Sequence, residues 1–295
     1  MLADFGQVPH RKAVQPEEVE TAICEFVSQQ LNLIVVNGGD GTIHAALTAL
    51  YSTVRPDRMP SLALLRSGTT SMIARDVGLP GSKLEALSRL LSWLHSGSGS
   101  AAIINRPVLR LDREMTGDTL FGMFFGAGAI YDGIKFCHAH VYASGVKGEL
   151  AAGLTLARFL FAAVRGNRII VPATSVRLEI AGQAGQDMAI HILFVTTLER
   201  LFLGMRPYWG VENAPLHFTT IRSDAPHVIK SAPYVLSGHK SPWSTSAHGY
   251  LSHNLHELRL SIGSGFTMDG QLYESVAPQE TLLLSNAGEV EFLIL

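Results

Sequence analysis

The chain has 295 residues, 47% of them hydrophobic and 16% charged, a composition that excludes intrinsic disorder and coiled coil and suits about two packed domains. Lys and Arg total 23 against 25 Asp and Glu, a formal net charge of −2, so no positive field exists to collect a polyanion and no nucleic-acid partner is expected. The two cysteines, Cys24 and Cys137, lie far apart and outside any CxxC pair; they offer neither a disulfide framework nor a zinc ribbon and suit a reducing, cytoplasmic compartment.

The opening stretch, MLADFGQVPHRKAVQPEEVE, lacks the apolar core of a secretory signal, and Glu17, Glu18 and Glu20 do not suit a transit peptide. From Pro16 onward Val19, Ile23, Phe26 and Val27 recur close to helical spacing, with acids in the first turn, and predict a helix. LNLIVV (31–36) reads as a parallel strand buried on both faces and stopped by Asn37-Gly38-Gly39. Ile43, Ala46, Leu47 and Leu50 then fall at i, i+3, i+4 and i+7, which predicts a second helix. LALLR (62–66) repeats the strand, SGTT the turn, and Ser71 to Asp76 the helix. Helices and strands in this alternation predict a parallel sheet with right-handed crossovers.

Ser96-Gly97-Ser98-Gly99-Ser100 is the best linker in the chain. It divides an α/β domain over 1–100 from a second domain over 101–295. In the second, period-2 alternation at Val176, Leu178 and Ile180, at Ile190, Ile192 and Phe194, and at Leu258, Leu260 and Ile262 predicts antiparallel strands with one buried face. The apolar stretch Leu150 to Val164 is its one strong helix; Arg158 interrupts it and it is shorter than the ~20 residues a spanning helix needs, so no transmembrane segment is expected.

Gly38-Gly39-Asp40-Gly41-Thr42 sits between a buried strand and a helix, where open α/β sheets bind ligands. Its glycines allow close backbone approach, the helix N-terminus offers N–H groups and partial positive charge to a phosphate, and Thr42 is placed to cap the helix. Asp40 would be repelled by phosphate unless it meets Mg²⁺, orients a water or accepts a hydroxyl proton. The competing reading is a plain strand-to-helix turn. Ser67-Gly68-Thr69-Thr70-Ser71 ends the neighbouring strand on the same sheet edge, and Arg75 follows one turn into its helix. Asp269-Gly270 within FTMDGQLYE is first of all a hairpin turn, and such a turn is also a rigid mount for a general base. Phe136-Cys137-His138-Ala139-His140 lacks a partner ligand and is not read as a metal site.

Taken in order and spacing, VVNGGDGTIHAAL, LLRSGTTSMIARDVGLP, RPYWG (206–210) and FTMDGQLYE resemble the diacylglycerol kinase catalytic-domain family, in particular its soluble bacterial lipid kinases. The resemblance implies a nucleotide-binding α/β domain, a β-sandwich second domain whose last strand returns to the first, and ATP- and Mg²⁺-dependent phosphorylation of a lipid hydroxyl in the cleft between them. It implies that Gly38, Gly39, Asp40, Gly41 and Thr42 form the phosphate-binding loop, that Gly68, Thr69 and Thr70, with Arg75, form the second nucleotide loop, that Asp269 is the general base, and that Asp40 lies near Mg²⁺. The acceptor would be diacylglycerol or a similar lipid alcohol reached peripherally at the inner membrane face, with room for assembly as a homo-oligomer. Four positions depart from the family: His44-Ala45 stands where Asn-Glu is common, Ser71 replaces an Asn, and Gln271 replaces a Glu two residues after the base. The family's first strand and its nucleotide-touching loop have no counterpart before residue 16. These departures keep open a catalytically degenerate nucleotide- or lipid-binding relative; an NAD kinase, which shares the Gly-Gly-Asp-Gly-Thr element, is disfavoured by the second loop and the Asp269 turn.

Overall fold

The computed structural model describes residues 8–67, 71–97, 100–138, 172–180 and 184–295. The predicted alternation is present at the N-terminus: α1 (Pro16–Ser28), β1 (Leu33–Gly38), α2 (Asp40–Thr53), β2 (Ser61–Arg66), α3 (Met72–Val77) and α4 (Lys83–Ser96). Two of these helices start on reciprocal capping boxes, Gln15 with Glu18 and Ser82 with Glu85, which satisfy N–H groups that have no carbonyl a turn back.

Strands β1 and β2 are parallel, with Leu33 opposite Ser61 and Gly38 opposite Arg66. Burial on both faces holds for β2, where Leu62 to Leu65 are all buried, but not for β1, where Ile34 and Val36 are buried and Val35 is 38% exposed. The reason is position: β1 ends the path of strands, and a continuous apolar run does not reveal which strand of a sheet is the edge. Ile23, Leu47, Leu50, Ile73 and Val77 pack with Ile34, Val36, Leu62 and Leu64 on one face. On the other, Ala86 and Leu90 of α4 pack with Ala63 and Leu65.

Twelve residues of β3 (Ala102–Arg113) follow α4, then β4 (Thr119–Gly122), β5 (Phe124–Gly128) and α5 (Ala129–Phe136). Next come β6 (Thr174–Ile180), β7 (Gln186–Thr196), β8 (Leu216–Arg222), α6 (Val228–Leu236), β9 (Tyr250–Leu255) and β10 (Glu257–Ile262). A short hairpin, β11 (Phe266–Met268) and β12 (Gln271–Tyr273), precedes the 15-residue β13 (Glu280–Ile294). All three alternating segments are antiparallel strands as expected, with β6 joined to both β10 and β7.

These strands do not form a sheet separate from the first. The last strand, β13, pairs antiparallel with β10 and β3 and, at Phe292 opposite Leu62, parallel with β2. Among the described residues, one mixed sheet of 13 strands therefore runs from the N-terminal α/β layer into the antiparallel region. Phe292 and Val290 share a core with Leu62, Leu64 and α2, as do Met123, Phe124 and Phe194, so the N-terminal layer is completed by residues from the far end of the chain. A second core, around Phe125, Leu178, Phe218, Leu260 and Phe266, fills the antiparallel part.

Of the predicted linker, Gly97 is the left-handed C-cap of α4, while Ser98 and Gly99 lie outside the described residues, as does the predicted helix Leu150 to Val164. Among the described residues no helix is long and apolar enough to cross a membrane.

Candidate active site

The glycine loop follows β1, and α2 begins at Asp40 with Gly39 as N-cap. Thr42 is therefore the third helical residue and not the cap: the Thr42 and Ile43 N–H groups already donate to the Gly39 carbonyl. Gly39 has no side chain to turn back on the helix, so no side-chain cap closes the N-terminus of α2. Gly38 is a tight position, since a Cβ there would lie 2.5 Å from the Thr42 side chain.

Asp40 is buried, and its carboxylate reaches across to the neighbouring helix, accepting from the Met72 N–H (2.9 Å) and the Ile73 N–H (3.0 Å). A carboxylate on these amides braces the start of α3 against the start of α2. Ser67 adds a second tie by donating to Asn37 Oδ1 at 2.5 Å. The two strand-end loops are thus held side by side, although Gly68, Thr69 and Thr70 themselves lie outside the described residues. Ser71, the N-cap of α3, has φ 45°, the left-handed region that Asn enters more readily than most residues.

Arg75 is exposed and lies close enough to Arg66 to depress its pKa, although burial is the larger cause of that shift. Arg66, opposite Gly38 in the sheet, donates from Nε to the Ala74 carbonyl at 3.2 Å. The two guanidiniums form a cationic pair, whose Arg66 half the sequence reading did not single out because it reads as the last residue of a strand.

The β11–β12 turn carries the other predicted carboxylate, Asp269. Asp269 and Gly270 have φ 49° and 84°, the two positive values a type I′ hairpin requires, so the turn prediction and the base prediction fall on one residue. The Asp269 side chain has no exposed surface. Its oxygens accept from the Met123 N–H (3.1 Å) and the Phe124 N–H (2.9 Å), where the chain passes from β4 to β5. Gly122 makes room for it: a Cβ there would lie 2.1 Å from Asp269 Oδ2. The base of the hairpin is anchored by Arg113, which donates from Nε (2.7 Å) and Nη2 (3.0 Å) to the fully buried Glu280 and lies 5.4 Å over the Phe266 ring.

The hairpin and α2 meet at His44, the residue one turn after Asp40. Its Nδ1 lies 3.5 Å from Asp269 Oδ2 and its Nε2 2.8 Å from the Tyr273 hydroxyl. Gln271 packs over the glycine loop, so close that a Cβ on Gly41 would lie 2.2 Å from its Nε2. The Tyr273 phenol is pushed up to about 12, first by burial and then by the Asp269 carboxylate. A groove of about 220 Å³ opens here, lined by Glu17 and Glu20 of α1, His44 and Thr48 of α2, and Gln271 and Tyr273 of β12. Sequence reasoning recorded His44 and Gln271 only as departures and missed Tyr273 and Gly122; the readable signal was the i, i+4 spacing of Asp40 and His44, which puts both on one helix face.

The fold belongs to the diacylglycerol-kinase-like class. A diacylglycerol kinase of Bacillus anthracis str. Sterne superimposes with a TM-score of 0.59 at 15% identity, covering 96% of this chain and 82% of the other. A putative diacylglycerol kinase of the same organism gives 0.62 at 15%, covering 96% and 84%. In sequence, residues 3–97 match the diacylglycerol kinase catalytic domain. A probable lipid kinase YegS-like protein of Stenotrophomonas maltophilia (strain K279a) is 32% identical over 83 residues. That alignment spans 28% of this chain and about a quarter (27%) of the relative's length.

Proposed function

We propose that this chain is an ATP-dependent lipid kinase that transfers the γ-phosphoryl group to a hydroxyl of diacylglycerol or a similar lipid alcohol, working from the cytoplasm at the inner membrane face. The observation that carries the reading is the meeting of the Asp269 hairpin with the glycine-capped end of α2, where His44 lies 3.5 Å from Asp269 and Gln271 covers Gly41. The glycine-capped start of α2 and a buried carboxylate thereby meet on one helix, with His44, one turn after Asp40, facing Asp269.

A nucleotide triphosphate fits the residues present. Gly38, Gly39, Gly41 and Thr42 stand at a helix start with no side-chain cap, Gly68, Thr69 and Thr70 follow the neighbouring strand β2 in sequence, and Arg66 and Arg75 supply positive charge. The protein donor set for Mg²⁺ is sparse: among the described residues no three Asp, Glu, His or Cys side chains converge, and both Asp40 oxygens accept backbone N–H groups. Mg²⁺ would be held chiefly by phosphate and water, with Asp40 as the one carboxylate of the loop, and when bound it neutralises charge on the transferring group. The protein's own work is positioning: the loops fix the phosphates, the groove fixes the acceptor hydroxyl, and the Asp269 hairpin receives its proton.

The test is transfer of labelled phosphate from ATP to diacylglycerol, monoacylglycerol and a sphingoid base in mixed micelles. Transfer to one of them that falls at least about 100-fold in Asp269→Asn supports the reading, and full activity in both Asp269→Asn and Asp40→Asn removes the site assignment. The full burial of Asp269 favours one second reading, a catalytically silent nucleotide- or lipid-binding relative. Calorimetric ATP binding without transfer to any of the lipids would support it.

A further inference from the structure

The buried carboxylate raises a geometric problem for direct base catalysis. Asp269 has no exposed side-chain surface and already accepts from two backbone amides, and it does not line the groove, whereas His44 and Tyr273 do. His44 is itself buried, at 5% exposure. Its Nδ1 has no hydrogen-bond partner among the described residues and faces Asp269 Oδ2 at 3.5 Å, a few tenths of an ångström beyond the ~3.2 Å limit of a good hydrogen bond.

Facing a carboxylate that can only accept, Nδ1 is the ring nitrogen best placed to carry the imidazole proton, which leaves Nε2 to accept from the Tyr273 hydroxyl at 2.8 Å. An imidazole that accepts at Nε2 carries its proton on Nδ1, pointing at Asp269. The three side chains then form a directed chain from groove to interior: Tyr273 hydroxyl to His44 to Asp269.

We propose that His44 is the proton acceptor of the reaction, with Tyr273 as its outlet to the groove and Asp269 as the buried partner that orients the imidazole and stabilises its charged form. This inference rests on the kinase reading above. As the acceptor hydroxyl attacks, its O–H bond breaks and the proton goes to Tyr273 Oη, while the Tyr273 proton passes to His44 Nε2. The acceptor oxygen bonds to the γ-phosphorus of the nucleoside triphosphate, and the bond from that phosphorus to the β–γ bridging oxygen breaks, releasing the diphosphate with the electron pair. The imidazolium is held by Asp269 and returns its proton to water when product leaves. The charged and titratable groups around it are Asp269 and Tyr273 from the hairpin, His44's neighbours Glu17 and Glu20 from α1 across the groove, and Arg113 and Asp118, which act on Tyr273.

Two measurements on the full chain test this. In the histidine ¹⁵N spectrum of the nucleotide-free protein, with His44 assigned by its loss in His44→Asn, the Nδ1–H tautomer is expected; an Nε2–H tautomer overturns the proposal whatever the activity. In lipid phosphorylation, His44→Asn and the larger His44→Gln, each checked for an unchanged unfolding transition, are expected to lower kcat about 10² to 10⁴-fold and to remove the acidic limb of the kcat/KM profile, while Tyr273→Phe lowers kcat without changing the KM for ATP. A His44 variant that folds, retains kcat within about threefold and keeps the wild-type pH profile overturns the relay and leaves Asp269 as the direct base. Wild-type protein that phosphorylates no lipid overturns the kinase reading, and the relay with it, even where the tautomer is as expected.

Discussion

Replacing Gly122 by alanine adds one methyl group at the point where the Asp269 carboxylate is stored. Gly122 is absent from the residues with positive φ, so its backbone accepts alanine, and the whole effect comes from contact. The new Cβ would lie 2.1 Å from Asp269 Oδ2, 3.0 Å from Cγ and 3.2 Å from Met268 Cε, and relief requires the carboxylate to move by about 1 Å. Such a shift gives up the Oδ2 bond to Met123 and lengthens the Oδ1 bonds to Met123 and Phe124. At about 1.5–3 kcal/mol per hydrogen bond to a charged group, losing one donor costs about 2 kcal/mol and losing both about 3–6. A gain of about 0.4–1 kcal/mol from stiffening the unfolded chain offsets part of this. The net loss is then about 1–6 kcal/mol, and since for a chain of this size about 2–4 °C of Tm accompanies each kcal/mol, a fall of about 2–22 °C is expected by calorimetry. Lipid phosphorylation should fall about 100-fold or more as the Asp269–His44 alignment is lost. In a double-mutant cycle, adding Gly122→Ala to Asp269→Ala should cost almost nothing, because the overlap no longer exists. A single variant with unchanged Tm and turnover would show that the carboxylate does not occupy this site.

Asp40→Asn replaces one of two acceptors facing Met72 and Ile73 with a donor; the expected loss is about 2–3 kcal/mol in urea, seen as a lower midpoint with the same slope, and an unchanged midpoint would refute the brace between α2 and α3. Glu280→Gln takes from the buried Arg113 guanidinium its closest carboxylate, leaving the exposed Asp118 at 3.9 Å, and should destabilise by about 3–5 kcal/mol, whereas the apolar pair Arg113→Met with Glu280→Leu recovers much of that. Glu212 is held at about 2, because the Asn254 N–H and the His253 ring outweigh the opposing effect of burial. Since the folded value lies below the ordinary 4.5, its contribution to stability is complete above that pH and disappears as pH falls through about 2. With 43% of its side chain exposed the effect is small, and Glu212→Gln should flatten the fall of Tm across that acid range while leaving Tm at neutral pH nearly unchanged.

Local sequence determined the elements. Periodicity at Ile43, Ala46, Leu47 and Leu50 is a property of one helix face, alternation at Leu258, Leu260 and Ile262 of one strand face, and Asp269-Gly270 of one turn, so each was readable within about ten residues. The glycine loop was legible for the same reason, because a strand, a run of small residues and a helix are contiguous in the chain. What contiguity does not encode, tertiary structure decided. Val35 is exposed because β1 happens to be an edge, and Phe292, some 230 positions away, closes the sheet beside Leu62. The same holds at the site: Asp40 faces the amides of α3, and His44 lies between Asp269 and Tyr273, 229 residues downstream in the latter case. Such pairings arise from the burial of apolar faces on either side of a shared sheet, and a carboxylate placed by that packing acquires its partners from whichever backbone amides and rings arrive with it.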